Sequence, residues 1–271
     1  MSFLTGAKSA PFDLYTSTTI SDPSVVTMCG SRWSAEDGRE FVLVQNAGTA
    51  LGAGVVVQGP VAVSANFVGL SPATTSTTGY SATYPIAAAI GGKVIQIATG
   101  ATAVLVNQFQ DGYLNVVEGT GLGQTLKIAS ITAAATTAAT VITVEDQFLV
   151  ATSTDSRFTL TLCPYGTPFG TALTTHGVII SPATTLTGMT LGVTAYPIPA
   201  STATVASYGY VQTKGLVAVL GSSTVALGID VCVPSGVAGA VATYAVATGP
   251  RIGTAVVATA STKYNMINLS V

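Results

Sequence analysis

Asp, Glu, Lys and Arg together make up only 7% of this 271-residue chain, against about 25% in ordinary globular proteins. Eleven acids and nine bases, with a net charge of −2, serve the whole molecule. Surface scaling gives the 27.0 kDa chain a folded area of roughly 11,000 Å², or about one charge per 550 Å². The largest apolar patch on a typical monomer is already about 300–600 Å². The surface is therefore expected to be tiled with Thr, Ser, Gly and Ala, and part of it to be covered by partner subunits. The nine bases lie scattered from Lys8 to Lys263 and form no stripe that could neutralise a phosphate backbone, so nucleic acid is not expected as a partner. A membrane is not expected either, although mean hydropathy is +0.60. The most apolar window, 215–229, is broken by Gly221, Ser222 and Ser223, and a spanning helix needs about 20 predominantly apolar residues.

Helix signals are scarce, while Thr, Val, Ile and Gly dominate, which favours pleated surface and turns. Strand-like runs recur at 40–45, 93–97, 103–107, 113–117, 125–128, 141–144, 157–162 and 217–220. The clearest alternation is at 157–162, where Phe158, Leu160 and Leu162 share one face and Arg157, Thr159 and Thr161 the other. Asp37-Gly38 and Asp111-Gly112 supply hairpin-closing turn chemistry. The pattern predicts an all-β protein of β-sandwich or β-barrel-like domains with an extended N-terminal arm. Residues 1–35, dense in Ser, Thr and Pro, form the expected arm. Ser71-Pro72-Ala73-Thr74-Thr75 recurs at 181–185 and Tyr84-Pro85-Ile86 at 196–198, as if the chain crossed twice between domains. On that reading 36–90 and 183–271 together make one β domain, and 91–182 is an inserted or central one.

The residues that could carry chemistry are few. His176 is the sole histidine and reads as a loop or strand-end residue rather than a triad base. Cys29, Cys163 and Cys232 are far apart and suit neither a zinc site nor a redox pair; each is expected to be a small core residue made in a reducing cytoplasm. The carboxylate pairs Glu36-Asp37 and Glu145-Asp146 flank strands, where neighbours point to opposite faces, so neither forms a local acid/base pair. Gly119-Thr120-Gly121-Leu122-Gly123 leads into another strand, as a Gly-rich hairpin loop does, whereas a nucleotide cradle needs a following helix. Met1–Gly6 shows no charged segment followed by an apolar run, so no secretory signal is expected. No catalytic residue, metal or cofactor is expected, and the chain does not read as an enzyme. Five charged residues lie between Arg32 and Glu40, making that corner the densest charge cluster.

Two stretches carry a resemblance. One runs Asp37-Gly38-Arg39-Glu40-Phe41-Val42-Leu43-Val44-Gln45-Asn46-Ala47-Gly48 and on through Ala50–Gln58. The other runs Tyr208-Gly209-Tyr210-Val211-Gln212-Thr213-Lys214-Gly215, then Ala238–Val241 and Arg251–Ala255. Over about half the chain this resembles tailed-phage virion proteins of the capsid decoration or cement kind. The resemblance implies a structural protein that binds the capsid exterior, has the major capsid protein as partner, and forms a homo-oligomer, with a trimer favoured. It is made in the host bacterial cytoplasm. The contact residues expected on capsid or subunit are Phe3, Leu4, Phe12, Leu14 and Tyr15 in the arm, and Arg32, Trp33, Glu36, Asp37, Arg39 and Glu40 in the corner. The alternatives are a head spike, fibre or tail subunit, or a carbohydrate-binding adhesion module.

Overall fold

Most of the Val-, Ile- and Thr-rich runs pair as strands; 103–107 does not, because it makes only the isolated Val104–Ala134 bridge and turns at Asn107, φ 55°. A computed structural model describes residues 4–5, 18–20, 29–60, 88–99, 103–136, 138–153, 155–166, 176–244, 249–258 and 263–271, and contains no helix among them. The fold is all-β, with antiparallel sheets that curl toward half-barrels. In chain order the strands are β1 (Leu4–Thr5), β2 (Thr18–Ile20), β3 (Arg32–Ala35), β4 (Glu40–Asn46), β5 (Val56–Gln58), β6 (Val94–Ala98), β7 (Tyr113–Glu118), β8 (Thr125–Ile131) and β9 (Ala139–Val144). They continue as β10 (Arg157–Thr161), β11 (Ile179–Ile180), β12 (Thr190–Thr194), β13 (Ala206–Leu220), β14 (Asp230–Cys232), β15 (Ala242–Thr243), β16 (Arg251–Ala255) and β17 (Tyr264–Ser270).

The chain divides into two compact units. The outer unit comprises Met1–Val61, Pro164–Pro168 and Leu173–Val271; the middle unit comprises Ala62–Cys163 and Phe169–Ala172. Both boundaries differ from those expected from the repeat. Ala88 packs into the middle unit's core, so this unit starts before residue 91. Ile179 and Ile180 pair with Gln58 and Val57, so 179–182 side with the outer unit. The first copy of the repeat lies outside the described residues. The second is stitched into the outer unit, where the Ser181 N–H donates to the Val56 carbonyl and Ile198 pairs with Leu51. It marks no crossing.

The outer sheet runs β1-β3-β4-β13-β17-β16-β14-β15, with β2, β5, β11 and β12 paired off this path. Its spine is β13, whose 15 residues span about 50 Å. It pairs with β4 over Ser207–Lys214 and with β17 over Lys214–Leu220, and the register shifts between Gln212 and Lys214. Strand β4 is buried on both faces. Phe41 and Leu43 meet Tyr208 and Tyr210 on one side; Val42 and Val44 meet Val57, Leu191 and Val211 on the other. A further core lies under the second half of β13.

Tyr208 and Tyr210 share one face of β13. Both are buried, and the Tyr208 hydroxyl has no hydrogen-bond partner among the described residues. Burial, with a smaller contribution from Cys29, pushes the Tyr208 phenol above its ordinary value. The folded protein therefore holds this proton more tightly than the unfolded chain, and stability falls as pH rises above about 10. Tyr208→Phe removes an unpaired buried hydroxyl. It is expected to leave stability unchanged or raise it by about 1 kcal/mol at neutral pH, and to lessen the alkaline loss. Urea unfolding at neutral and alkaline pH checks this.

The middle unit is a five-stranded antiparallel sheet in the order β10-β7-β8-β9-β6. Its strands alternate buried and partly exposed positions, and one face gathers Ile95, Ile97, Leu114, Ile128, Ile142 and Phe158 with Phe109 and Phe148. The low-complexity run 132–140 leads from β8 into β9, and the Thr140 hydroxyl donates to the Thr132 carbonyl at 2.7 Å. Asp37-Gly38 closes the β3–β4 hairpin, with the Gly38 N–H on the Ala35 carbonyl at 3.0 Å and Gly38 at φ 82°. Asp111-Gly112 does not close a hairpin. Asp111, at φ 61°, ends the turn that enters β7, and its N–H donates to the Ile128 carbonyl.

Candidate functional site

The charged corner is built on the β3–β4 hairpin, where Asp37 pairs with Arg39 and Glu40 with Lys214 of β13. The Asp37 carboxylate takes the Arg39 side chain at 2.6 Å and the Arg39 backbone N–H at 3.1 Å. That backbone bond first, and then the guanidinium, hold the Asp37 carboxyl below the usual range. Arg39 also lies over the Phe41 ring, 5.6 Å from its centroid. Lys214 on β13 pairs with Glu40 at 3.0 Å. The Arg32 guanidinium donates to the Tyr165 hydroxyl at 3.2 Å, and Trp33 stands edge-on to Tyr210. Glu36 is exposed in the turn. The corner thus brings together Arg32, Trp33, Asp37, Arg39 and Glu40 at one hairpin end, with Asp37 and Glu40 ion-paired. Of the arm residues, Leu4 lies in β1, opposite Ala35. Phe3, Phe12, Leu14 and Tyr15 lie outside the described residues.

Two apolar surfaces went unmarked in the sequence. The first is the loop tip of the middle unit, where Ile90, Leu122, Leu149 and Val150 are 72%, 66%, 78% and 48% exposed. Their loops are tied to one another. The Gly91 N–H donates to the Phe148 carbonyl at 2.8 Å, and the Phe148 N–H to the Gly92 carbonyl at 3.0 Å. The Gln124 side chain accepts from the Leu149 and Val150 N–H groups and donates to the Gly121 and Val150 carbonyls. Asp155 accepts from the Ser153 hydroxyl and from the Thr120 hydroxyl and N–H, which lower its pKa in that order. Large apolar side chains at loop tips are ordinarily few, and here the backbone that carries them is fixed. A groove of about 520 Å³ lined by Lys93, Thr125, Glu145, Asp146 and Leu149 flanks the tip. Glu145 is engaged there with Lys127 at 2.9 Å, and Lys127 also reaches Asp111 at 3.3 Å.

The second surface belongs to the outer unit. A groove of about 250 Å³ beside Arg39 is lined by Ala53, Thr194, Leu216, Ala218 and Tyr264. The Tyr264 hydroxyl donates to the Ala53 carbonyl at 3.2 Å and so closes one wall. The outward alternation of Tyr264, Met266 and Asn268 against buried Asn265, Ile267 and Leu269 was the signal in the sequence for this surface.

Neither surface gathers catalytic groups. No cluster of three or more His, Cys, Asp or Glu able to hold a metal occurs among the described residues. His176 sits in the bend before Val178, which bridges to Asn46. All three cysteines are buried and free of disulfides. Gly119–Gly123 is the hairpin loop between β7 and β8. No family model matches the chain, and neither a curated protein nor a solved structure does.

Proposed function

We propose that the chain is a structural virion protein of the capsid decoration kind, which binds the major capsid protein on the outer surface of a phage capsid and stabilises the shell. It acts as a homo-oligomer and carries out no catalysis. The observation that supports this best is the middle unit's tip, in which four exposed aliphatic side chains stand on hydrogen-bonded loops in a chain with 7% charged residues. A rigid apolar knob on a neutral body loses little entropy on docking and gains by leaving water. The residue pattern of 37–58 and 208–255 supplies the capsid as the specific setting.

The test is co-sedimentation of the full chain with empty capsids of the phage that encodes it. Saturable binding with a fixed copy number per capsid is expected, together with a raised capsid melting temperature. Leu149→Asp is expected to weaken binding about tenfold or more, because it places a charge in a desolvated contact. Deleting residues 2–24 removes the short strands β1 and β2 and is expected to weaken attachment while leaving the rest of the β fold intact by circular dichroism. Capsids that bind none of the wild-type protein would sink the proposal. Unchanged affinity of the truncated chain would remove the arm from it.

A further inference from the structure

An antiparallel sheet with one face on a core ordinarily turns a polar face to water. The half-sheet of β13, β17 and β16 departs from that rule. Its inward residues Val217, Val219, Ile252, Ile267 and Leu269 fill one core. Its outward residues Leu216, Tyr264, Met266 and Val256 are between 39% and 54% exposed. The register sets these side by side. Leu216 lies opposite Asn268, Ala218 opposite Met266 and Leu220 opposite Tyr264. The Val256 N–H donates to the Met266 carbonyl at 2.8 Å. The strip runs into the outer unit's groove, whose wall Leu216, Ala218 and Tyr264 share.

We infer that this face binds a second copy of the chain and is the subunit contact of the oligomer. Charge decides the occupant. The pairs Lys214–Glu40, Arg39–Asp37 and Arg251–Asp230 border the face, and each closes within one chain. A partner selected by charge finds little to hold there. A second copy carries the same closed pairs, so two such faces approach without net repulsion and apolar surface meets apolar surface. Small Ala218 between Leu216 and Leu220 leaves relief for a facing side chain, as stacked sheets require at their spacing of about 10 Å. The strip exposes on the order of 400 Å² of apolar surface, about half of what each partner buries in a standard interface, so the contact is expected to be weak and concentration-dependent.

This deepens the proposed function by naming the contact between subunits, and its test needs no capsid. Sedimentation velocity of the full chain from about 5 to 200 µM is expected to show a monomer–dimer equilibrium, because a face that meets its own copy closes at two. Leu216→Lys and Met266→Lys, each outward-facing, are expected to weaken it about 100-fold without lowering the melting temperature. Asn268→Cys gives a second readout. It lies on the same face, and the native cysteines are buried, so a short bis-maleimide is expected to join copies through position 268 alone. A wild-type chain that stays monomeric throughout overturns the inference, as does an oligomer that both lysine variants leave intact or that Asn268→Cys fails to cross-link. Loss of capsid binding with self-association retained counts against the proposed function alone.

Discussion

Phe158→Ala is expected to destabilise the middle unit by about 3–5 kcal/mol, which for a unit of this size lowers its melting temperature by on the order of 15–25 °C. Phe158 is fully buried on β10, in the cluster that includes Leu114, Val116, Ile128 and Ile142. Removing its ring strips dispersion contacts from several strands at once, and the hydrogen-bonded sheet relaxes only partly into the space. The cluster belongs to one unit, so scanning calorimetry should show one transition move down and separate from the rest. A single transition that shifts as a whole would mean that the two units unfold together.

Gly192→Ala is expected to cost about 3 kcal/mol or more, although it adds only one methyl group. Gly192 sits in β12, which pairs with β5 on one side and β13 on the other, at a register shift between Thr190 and Gly192. Its φ is 147°, where L side chains are rare. A Cβ built there runs into the Gln212 carbonyl oxygen and lies 2.9 Å from Val211 Cγ1. Both neighbours are buried in the spine strand and have no room to retreat. Urea unfolding should show a lowered midpoint with an unchanged slope. Gly123→Ala provides the comparison, because φ is 90° but nothing lies within 4 Å of the added carbon. It should cost only the conformational term of about 1–2 kcal/mol.

Much of the local structure was legible in the sequence because it depends on short-range rules. The alternation at 157–162 put Phe158 and Leu160 inside and left Thr161 exposed, as found. Asp37-Gly38 closes the hairpin that its turn chemistry demands. The same rules failed where the outcome depends on distant partners. Val217–Leu220 reads as a short strand of its own, yet it is the end of one that starts at Ala206, since β4 and β17 supply successive backbone partners across the bulge. Asp111-Gly112 has the composition of a hairpin turn, but Ile128 lies opposite it, so it enters a strand instead. The five charges of 32–40 read as a local cluster, and the partner of Glu40 among them, Lys214, lies 174 residues away.

The candidate surfaces divide in the same way. Leu122 was visible only as the large residue in a glycine loop, and Ile90 and Leu149 as ordinary apolar residues. They become one tip because Gln124 and the 91–148 backbone pairing draw three loops together. Composition by itself settled that the chain is all-β and too poor in charge to clothe its surface, because strand propensity and the number of charged side chains are properties of residues taken singly. Which apolar residues stay outside was decided by the tertiary structure, because burial depends on register and on which face each strand turns to a core. Leu216 and Val217 differ little as residues, yet one faces outward and the other inward, and the pairing of β13 with β17 makes that choice.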